Sequence, residues 1–303
     1  MSAWLEREWQ RLGGGALVFL PFALLFGLFV AARRFLYRIR LLPSWRARVP
    51  VIVVGNITVG GTGKTPLVIE ILDILARRSR VPVYVSPDRP AAARALLEAH
   101  PEVNVLVSDD GLQHYALARD IELAVIDGER RFGNGLLLPS GPLREPVSRL
   151  RRVDAAVVNG GHSDEVPSPR QFAMRLGRER FHALASNQEA GAEEFALAVR
   201  GRAVVAVAGI GHPQRFFDHL ESLGVKARCI AFSDHHAYRA AELKLPGAEI
   251  VVMTEKDAVK CAAFADARMW YLRVDAILPP DFDDFLLTRL AQSRRSADGP
   301  QAA

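Results

Sequence analysis

The sequence has little cysteine: Cys229 and Cys261 are the only two among 303 residues. They stand far apart and outside any metal-ligand spacing, which argues against a disulfide framework and against a cysteine-based zinc site. We interpret both as free thiols in a reducing compartment.

The sequence also lacks internal repeats, low-complexity runs, an RNA-binding motif and any interleaving of aromatic with basic residues. The net charge of +5 and the pI of about 9.5 therefore indicate an anionic partner such as a membrane surface or a phosphorylated substrate. Nucleic acid ranks last, and we predict no nucleic-acid partner. Half of the residues are hydrophobic and 24% are charged, which excludes a disordered chain.

Charge is absent from residues 15–32, an apolar run of 18 residues that is at the short end for a membrane span. Arg33, Arg34, Arg38 and Arg40 follow at once, and basic residues on that side favour a cytoplasmic location for the rest of the chain. We predict a membrane anchor, spanning or embedded, with a basic collar for anionic headgroups. A cleaved signal peptide and a buried core helix are the alternatives.

Residues 51–66 predict a phosphate-binding loop, because a β-branched apolar strand leads through a glycine-rich turn into an apolar helix. Small residues let backbone N–H groups approach phosphate, and the helix N-terminus adds a positive dipole end. The Lys64 ammonium can reach the β- and γ-phosphates of a nucleotide, and the Thr65 hydroxyl can ligate Mg²⁺. Thr58 stands where such loops usually carry their first glycine. The candidate nucleotide-binding residues are Thr58, Val59, Gly60, Gly61, Thr62, Gly63, Lys64 and Thr65.

Residues 103–110 form an apolar run that ends in two carboxylates, Asp109 and Asp110. A strand that ends in aspartate downstream of a phosphate-binding loop is where nucleotide enzymes hold Mg²⁺. We predict that Asp109 and Thr65 hold the metal and that Asp110 lies near the acceptor hydroxyl. Two exposed turn carboxylates are the alternative.

Three further side chains are candidates for chemistry. Arg144 and Glu145 lie in a proline-rich loop, residues 138–146, where the arginine could clamp phosphate or transition-state charge or could simply be solvated. His235 beside Asp234 is a candidate general acid or base, with a solvated histidine as the alternative. Residues 254–257 could contact nucleotide or substrate, or could cap a helix.

Alternating strands and helices predict an α/β fold: a P-loop domain with a mostly parallel sheet, a second, smaller α/β domain and the N-terminal membrane-associated helix. We place the anchor at residues 1–43, the P-loop domain at 44–160 and the smaller domain at 161–303. Within them we expect a strand at 81–86, a hairpin-like pair at 171–175 and 181–184, and a frayed tail from residue 293.

Six segments together resemble the tetraacyldisaccharide 4′-kinase family, the lipid A 4′-kinases of Gram-negative bacteria. They are residues 53–66, 108–120, 125–146, 208–217, 233–236 and 253–260. The resemblance implies transfer of the ATP γ-phosphoryl group, with Mg²⁺, to the 4′-hydroxyl of a lipid-anchored disaccharide 1-phosphate. It also implies a location at the cytoplasmic face of the inner membrane. Thr58 in place of the first glycine is also that family's pattern.

The chain departs from the family after the phosphate-loop helix. A Ser-Arg-Gly-Tyr-Gly loop and a Gly-Asp-Glu-Pro segment are expected there by resemblance, and neither occurs in this sequence. The missing Asp and Glu are, by resemblance, a general base and a metal-side carboxylate, and His235 matches the histidine that partners that base.

The departure leaves three hypotheses. The first is a kinase, with reduced activity, in which Asp110 or Asp88 takes over proton removal. The second is a non-catalytic nucleotide-binding membrane protein derived from the family. The third, a P-loop GTPase or metallochaperone, is disfavoured because residues 254–257 have Glu255 where a guanine-reading motif needs asparagine.

Overall fold

The computed structural model of the chain describes residues 8–11, 13–77, 89–160, 166–211, 213–233 and 236–297. It forms two compact units, the first made of Met1–Leu176 and Ala276–Ala303 and the second of Gly177–Asp275. The chain therefore leaves the first unit once and returns to it with its last segment.

The helices and strands are numbered in chain order. The α-helices are α1 Gly14–Val18, α2 Leu20–Arg38, α3 Lys64–Ala76, α4 Arg89–Ala99, α5 Ala192–Ala198, α6 Pro213–Ser222, α7 Glu255–Cys261 and α8 Asp281–Ala297. The strands are β1 Val51–Gly55, β2 Leu106–Ser108, β3 Ile121–Asp127, β4 Ala155–Asn159, β5 Gln171–Ala183, β6 Glu189–Gly191, β7 Val204–Ala208, β8 Arg228–Ala231, β9 Ile250–Thr254 and β10 Met269–Ile277. Short 3₁₀ helices cover Val147–Arg152 and Ala262–Phe264.

The first unit is built on a parallel sheet in the order β2-β1-β3-β4-β5. All five residues of β1 are buried, as expected for a central parallel strand with both faces covered. Ile52 and Val54 pack in one core with helices α3 and α8, while Val51 and Val53 pack in another with helix α4. Because the strands are parallel, their carboxyl ends meet at one edge of the sheet.

The second unit carries its own parallel strands in the order β10-β9-β7-β8. Strand β6 pairs antiparallel with the last part of β5. Phe216, Phe217 and Leu220 of helix α6 are buried against this sheet, as their helical spacing predicts. The predicted α/β class with mostly parallel strands is thus confirmed.

Helix α2 exposes its apolar side chains instead of burying them. It is 19 residues long with a mean hydropathy of 1.5, and only 6% of its most apolar stretch is buried. Within the described residues it is the one helix long and apolar enough to cross a membrane. The alternative of a buried core helix is therefore wrong. The exposed side chains of α1 and α2 include Leu17, Val18, Phe22, Leu24, Leu25, Leu28 and Phe29.

Two local predictions from the sequence are wrong. Residues 171–175 and 181–184 do not form a hairpin, because Gln171–Ala183 is one continuous strand. That strand pairs parallel with β4 at its start and antiparallel with β6 at its end, so both halves find partners without a turn between them. The run at 103–110 forms a strand only over Leu106–Ser108, and its two carboxylates lie in the following turn. The strand predicted at 81–86 lies outside the described residues.

The C-terminal helix α8 was missed. Its buried residues Phe282, Leu286 and Leu290 have helical spacing, and three aspartates stand in its first turn. Because this helix packs on the parallel sheet, the first unit includes residues 276–303, whereas the sequence-based division ended the P-loop domain at 160. The described part of the expected frayed tail, residues 293–297, is helical.

We predict that Phe282→Ala lowers the free energy of unfolding by about 3–5 kcal/mol, because it empties a fully buried site. The Phe282 ring packs edge-on against Phe172, with ring centroids 5.1 Å apart. Urea unfolding followed by circular dichroism measures the change. Leu197→Ala is the control, because Leu197 is 69% exposed and its loss should change stability by no more than about 0.5 kcal/mol. Equal effects of the two substitutions would contradict the packing of α8 on the sheet.

Candidate phosphate-binding site

The loop between β1 and α3 has the backbone of a phosphate-binding loop. Gly60 and Gly63 have φ angles of +103° and +88°, which side chains other than glycine rarely adopt. A Cβ atom at Gly63 would lie 2.6 Å from the Asn159 Nδ2 atom, so the position also lacks space. Helix α3 begins immediately afterwards at Lys64, which directs its N-terminal N–H groups toward the loop.

Polar side chains at the ends of the neighbouring strands hold this loop in place. Asn159, at the end of β4, donates from Nδ2 to the carbonyl oxygen of Thr62 at 3.2 Å. Arg130 donates to the carbonyl oxygen of Gly61 and is itself paired with the buried Asp127, at the end of β3, at 2.9 Å. The conformation of the loop therefore depends on side chains at the carboxyl ends of β3 and β4, the edge of the sheet at which the loop lies.

The structure brings Asp110, Lys64 and Arg144 together. The Lys64 Nζ atom lies 3.5 Å from Asp110 Oδ1, and the Arg144 Nη1 atom lies 3.2 Å from Asp110 Oδ2. Arg144 is placed by its own backbone, since its N–H donates to the carbonyl oxygen of Ile57 at 2.7 Å. Asp110 adopts a left-handed backbone with φ of +49°, which turns its side chain out of the preceding strand direction. One carboxylate thus lies between two cations.

The charges of this group shift the pKa values of Asp110 and Lys64. Burial alone would raise the pKa of Asp110, but the cations of Lys64 and Arg144 outweigh it and hold the pKa below its usual value. Burial lowers the pKa of Lys64, and the nearby carboxylates of Asp110 and Asp109 oppose that shift. Asp110 is therefore ionised at neutral pH.

Thr65 and Asp109 form a second pair beside the first. The Thr65 hydroxyl donates to Asp109 Oδ2 at 3.5 Å, and the Arg89 guanidinium donates to the Asp109 carbonyl oxygen at 3.3 Å. Burial raises the pKa of Asp109, partly offset by Lys64. The buried Oδ1 atom of Asp109 has no hydrogen-bond partner among the described residues. A buried carboxylate oxygen that accepts no hydrogen bond keeps its lone pairs available for coordination. Beside a hydroxyl, it fits a hard cation such as Mg²⁺, which takes few protein ligands and keeps several waters.

Glu145 lies in a buried network and is only 1% exposed. It accepts hydrogen bonds from the Tyr115 hydroxyl and from Gln113 Nε2, the latter at 3.2 Å, and Arg149 Nε lies 3.7 Å away. Burial and the Glu145 charge raise the pKa of Tyr115 to about 12. Both oxygens of Glu145 thus already have partners, whereas Oδ1 of Asp109 has none among the described residues.

His235 and Asp234 lie outside the described residues. Thr254 caps helix α7, because its Oγ1 atom accepts from the Asp257 backbone N–H at 3.2 Å, so the helix-cap interpretation of residues 254–257 is confirmed. Both cysteines are free, Cys229 exposed and Cys261 buried.

Three residues that hold the loop were not among the predicted site residues: Asp127, Arg130 and Asn159. A signal for two of them exists, since Asp127 and Asn159 each end a buried strand, where side chains of a parallel sheet face its ligand edge. Arg130 has no such signal, because its role depends on the loop fold after β3.

The sheet, the loop and the paired cations and carboxylates define a P-loop nucleotide-binding protein of the α/β class. A model of the family Tetraacyldisaccharide-1-P 4′-kinase matches residues 15–79 and 73–291. The chain belongs to this family.

Several relatives carry the name tetraacyldisaccharide 4′-kinase. The one from Methylobacillus flagellatus is 43% identical over 331 residues, covering 96% of this chain and 97% of the relative. The one from Aeromonas salmonicida is 44% identical over 329 residues, covering 94% and 96%. Among solved structures, LpxK from Aquifex aeolicus, crystallised in complex with ATP, matches with a TM-score of 0.69 at 25% identity. That match covers 91% of this chain and 99% of the other.

The length of these alignments is consistent with the predicted missing segment. The first of these alignments spans 331 positions, more than the 303 residues of this chain, so the relative carries residues that this chain lacks. The two matched parts of the family model overlap at residues 73–79, a range that includes the last residues of helix α3. The predicted gap begins at that helix.

We predict that Gly63→Ala lowers the free energy of unfolding by about 1–3 kcal/mol, because a side chain there meets both a left-handed backbone and the Asn159 amide. Thermal or urea unfolding measures the loss. Gly61→Ala in the same loop is the matched control, since a Cβ atom there has no neighbour within 4 Å. Stability of the Gly61 variant should stay unchanged or rise slightly. A Gly63 variant as stable as the control would contradict the steric restriction on a side chain at position 63.

Proposed function

We propose that the chain transfers the γ-phosphoryl group of ATP to the 4′-hydroxyl of a tetraacyldisaccharide 1-phosphate, a step of lipid A biosynthesis. The observation that carries the proposal is the Asp110 carboxylate held between Lys64 and Arg144 at the N-terminus of helix α3. Membership of the tetraacyldisaccharide-1-P 4′-kinase family supports the choice of substrate. The ATP complex of the Aquifex aeolicus structure supports the choice of nucleotide.

The phosphate loop binds the nucleotide through its backbone. The N–H groups at the start of helix α3 and the dipole of that helix stabilise the β- and γ-phosphates. The Lys64 ammonium reaches the same phosphates, and its neighbours Asp109 and Asp110 favour its charged form. The proposed nucleotide-binding residues are Thr58, Val59, Gly60, Gly61, Thr62, Gly63, Lys64 and Thr65.

Thr65 and Asp109 are the residues that would hold Mg²⁺. Their fit rests on the buried, unpartnered Asp109 Oδ1 atom and the adjacent Thr65 hydroxyl. When bound, the ion neutralises charge on the phosphate oxygens of the nucleotide. Burial raises the pKa of Asp109, and a cation bound at that oxygen would favour the ionised carboxylate.

Asp110 and Arg144 act on the reacting groups. Asp110 is ionised and orients the acceptor hydroxyl through a hydrogen bond, and Arg144 stabilises the negative charge of the transferring group. Glu145 follows Arg144 in the chain and fixes its loop from the buried side. His235 completes the proposed set as a proton acceptor or donor.

The missing segment predicts slower turnover than a family member that retains its carboxylates. The lowered pKa of Asp110 makes it a weak base, so it replaces an absent general base only in part. Positioning and electrostatic stabilisation supply most of the rate in phosphoryl transfer, and the residues for both are present.

The same proposal places the chain at the inner membrane with its catalytic part on the cytoplasmic side. Residues 1–43 form the anchor, with the exposed apolar side chains of α2 in the lipid and the exposed Arg38 and Arg40 at the headgroups. Residues 44–160 and 161–303 are proposed as the kinase domain and the smaller C-terminal domain.

The first test is phosphate transfer from γ-labelled ATP to tetraacyldisaccharide 1-phosphate in detergent micelles. We expect product from the unaltered chain and a loss of about 10²–10³ in kcat for Lys64→Met, because the variant loses the cation at the phosphates. Lys226→Met, which removes an exposed lysine, should leave kcat unchanged. ATP binding without product from the unaltered chain would instead favour a non-catalytic nucleotide-binding protein.

The pH dependence of the same reaction tests the role of Asp110. The cations of Lys64 and Arg144 hold its pKa low, so Arg144→Gln should raise that pKa. As pH falls, the variant should lose activity at a higher pH than the unaltered chain. Superimposable acid limbs in plots of kcat against pH would contradict the assignment.

A further inference from the structure

We propose that Arg33 and Arg34 are positioning residues that tie the end of helix α2 to the two loops carrying Asp110 and Arg144. The proposal rests on the proposed kinase function and goes beyond it. It separates these two arginines from Arg38 and Arg40, although all four follow the apolar run together.

The first tie is an ion pair to a buried carboxylate. The Arg34 Nε atom lies 3.8 Å from Glu145 Oε1, and the side chains are 21% and 1% exposed. Because Glu145 is shielded from water, its charge acts on Arg34 more strongly than a surface carboxylate would. Glu145 directly follows Arg144, so this contact bears on the loop that places the arginine beside Asp110.

The second tie reaches the Asp110 loop. The Arg33 Nη1 atom donates to the carbonyl oxygen of Gln113 at 3.1 Å, three residues after Asp110. The Gln113 side chain in turn donates to Glu145 at 3.2 Å and to the Asn56 carbonyl oxygen at 3.0 Å. The two loops are thus joined to each other as well as to the helix.

On the same face of helix α2, an aromatic contact between Tyr37 and Tyr115 adds to these two interactions. Tyr37 lies four residues after Arg33, and its ring centroid is 5.8 Å from that of Tyr115, whose hydroxyl donates to Glu145. The Arg33 guanidinium lies over the Tyr37 ring at 5.7 Å. Arg38 and Arg40 are exposed, and no partner is found for them among the described residues.

The four arginines at positions 33, 34, 38 and 40 thus have two different roles. The outward pair is free to meet anionic headgroups, whereas the inward pair connects the membrane-facing helix to the reacting groups. Docking of the helix and alignment of the site are therefore coupled through Arg33 and Arg34. Loss of either arginine should disturb the site without weakening membrane attachment.

The test uses the full chain and compares Arg34→Gln with Arg38→Gln. Hydrogen–deuterium exchange monitors the backbone amides of residues 109–118 and 143–145, including the Arg144 N–H that donates to Ile57. We expect these amides to exchange faster in the Arg34 variant and to be unchanged in the Arg38 variant. Binding to anionic phospholipid vesicles should weaken in the Arg38 variant only.

Turnover provides the second readout. Displacement of the loops should lower kcat of Arg34→Gln about 10- to 100-fold with little change in KM for ATP. Arg34→Lys should recover part of the loss, because lysine restores the charge beside Glu145. Arg46→Gln is the neutral control, since Arg46 is 66% exposed and its one ion pair among the described residues is with Asp120.

Unchanged exchange and kcat in the Arg34 variant would overturn the proposal. So would a loss of kcat that tracks an equal loss of vesicle binding, because the arginine would then act through the membrane. If the unaltered chain makes no product, the kinase function fails, and the exchange comparison still decides whether Arg34 orders the two loops.

Discussion

The site depends on one electrostatic arrangement, the Asp110 carboxylate between the Lys64 ammonium and the Arg144 guanidinium. The three residues come from three segments: the turn after β2, the start of α3 and the loop after β3. The Lys64 side chain is only 14% exposed, and the opposite charge of Asp110 compensates its positive charge. The group therefore exists only if all three segments are held in register, which makes it sensitive to distant packing.

The parallel sheet supplies that register. β1 is buried on both faces, and its alternate residues pack into two cores that hold it in the sheet. Strands β2, β3 and β4 end at the same edge of the sheet as β1. Asp109 and Asp110 lie just beyond β2, Asp127 ends β3 and Asn159 ends β4. Asn159, and Asp127 through Arg130, hold the phosphate loop in the conformation that its glycines permit.

Helix α2 connects this site to the exterior of the molecule. Most of its surface is apolar and exposed, which a soluble protein seldom tolerates in a patch of this size. Its last two turns are different, because Arg33 donates to a backbone carbonyl oxygen and Arg34 faces a buried carboxylate. In the proposed function, the same helix binds a lipid surface and fixes the loops that act on the lipid-anchored substrate.

The sequence by itself determined the class, the phosphate loop, most strands and the family, since these depend on local periodicity and on contiguous motifs such as residues 53–66. Only the tertiary structure decided that Arg130 and Asn159 brace the loop, that Glu145 is buried, and that α8 belongs to the first unit. It also showed one strand in place of the predicted hairpin, and it divided the four arginines at positions 33, 34, 38 and 40 into an inward and an outward pair. The physical reason is that such contacts join residues far apart in the chain, and nothing in the local pattern of either partner specifies the other.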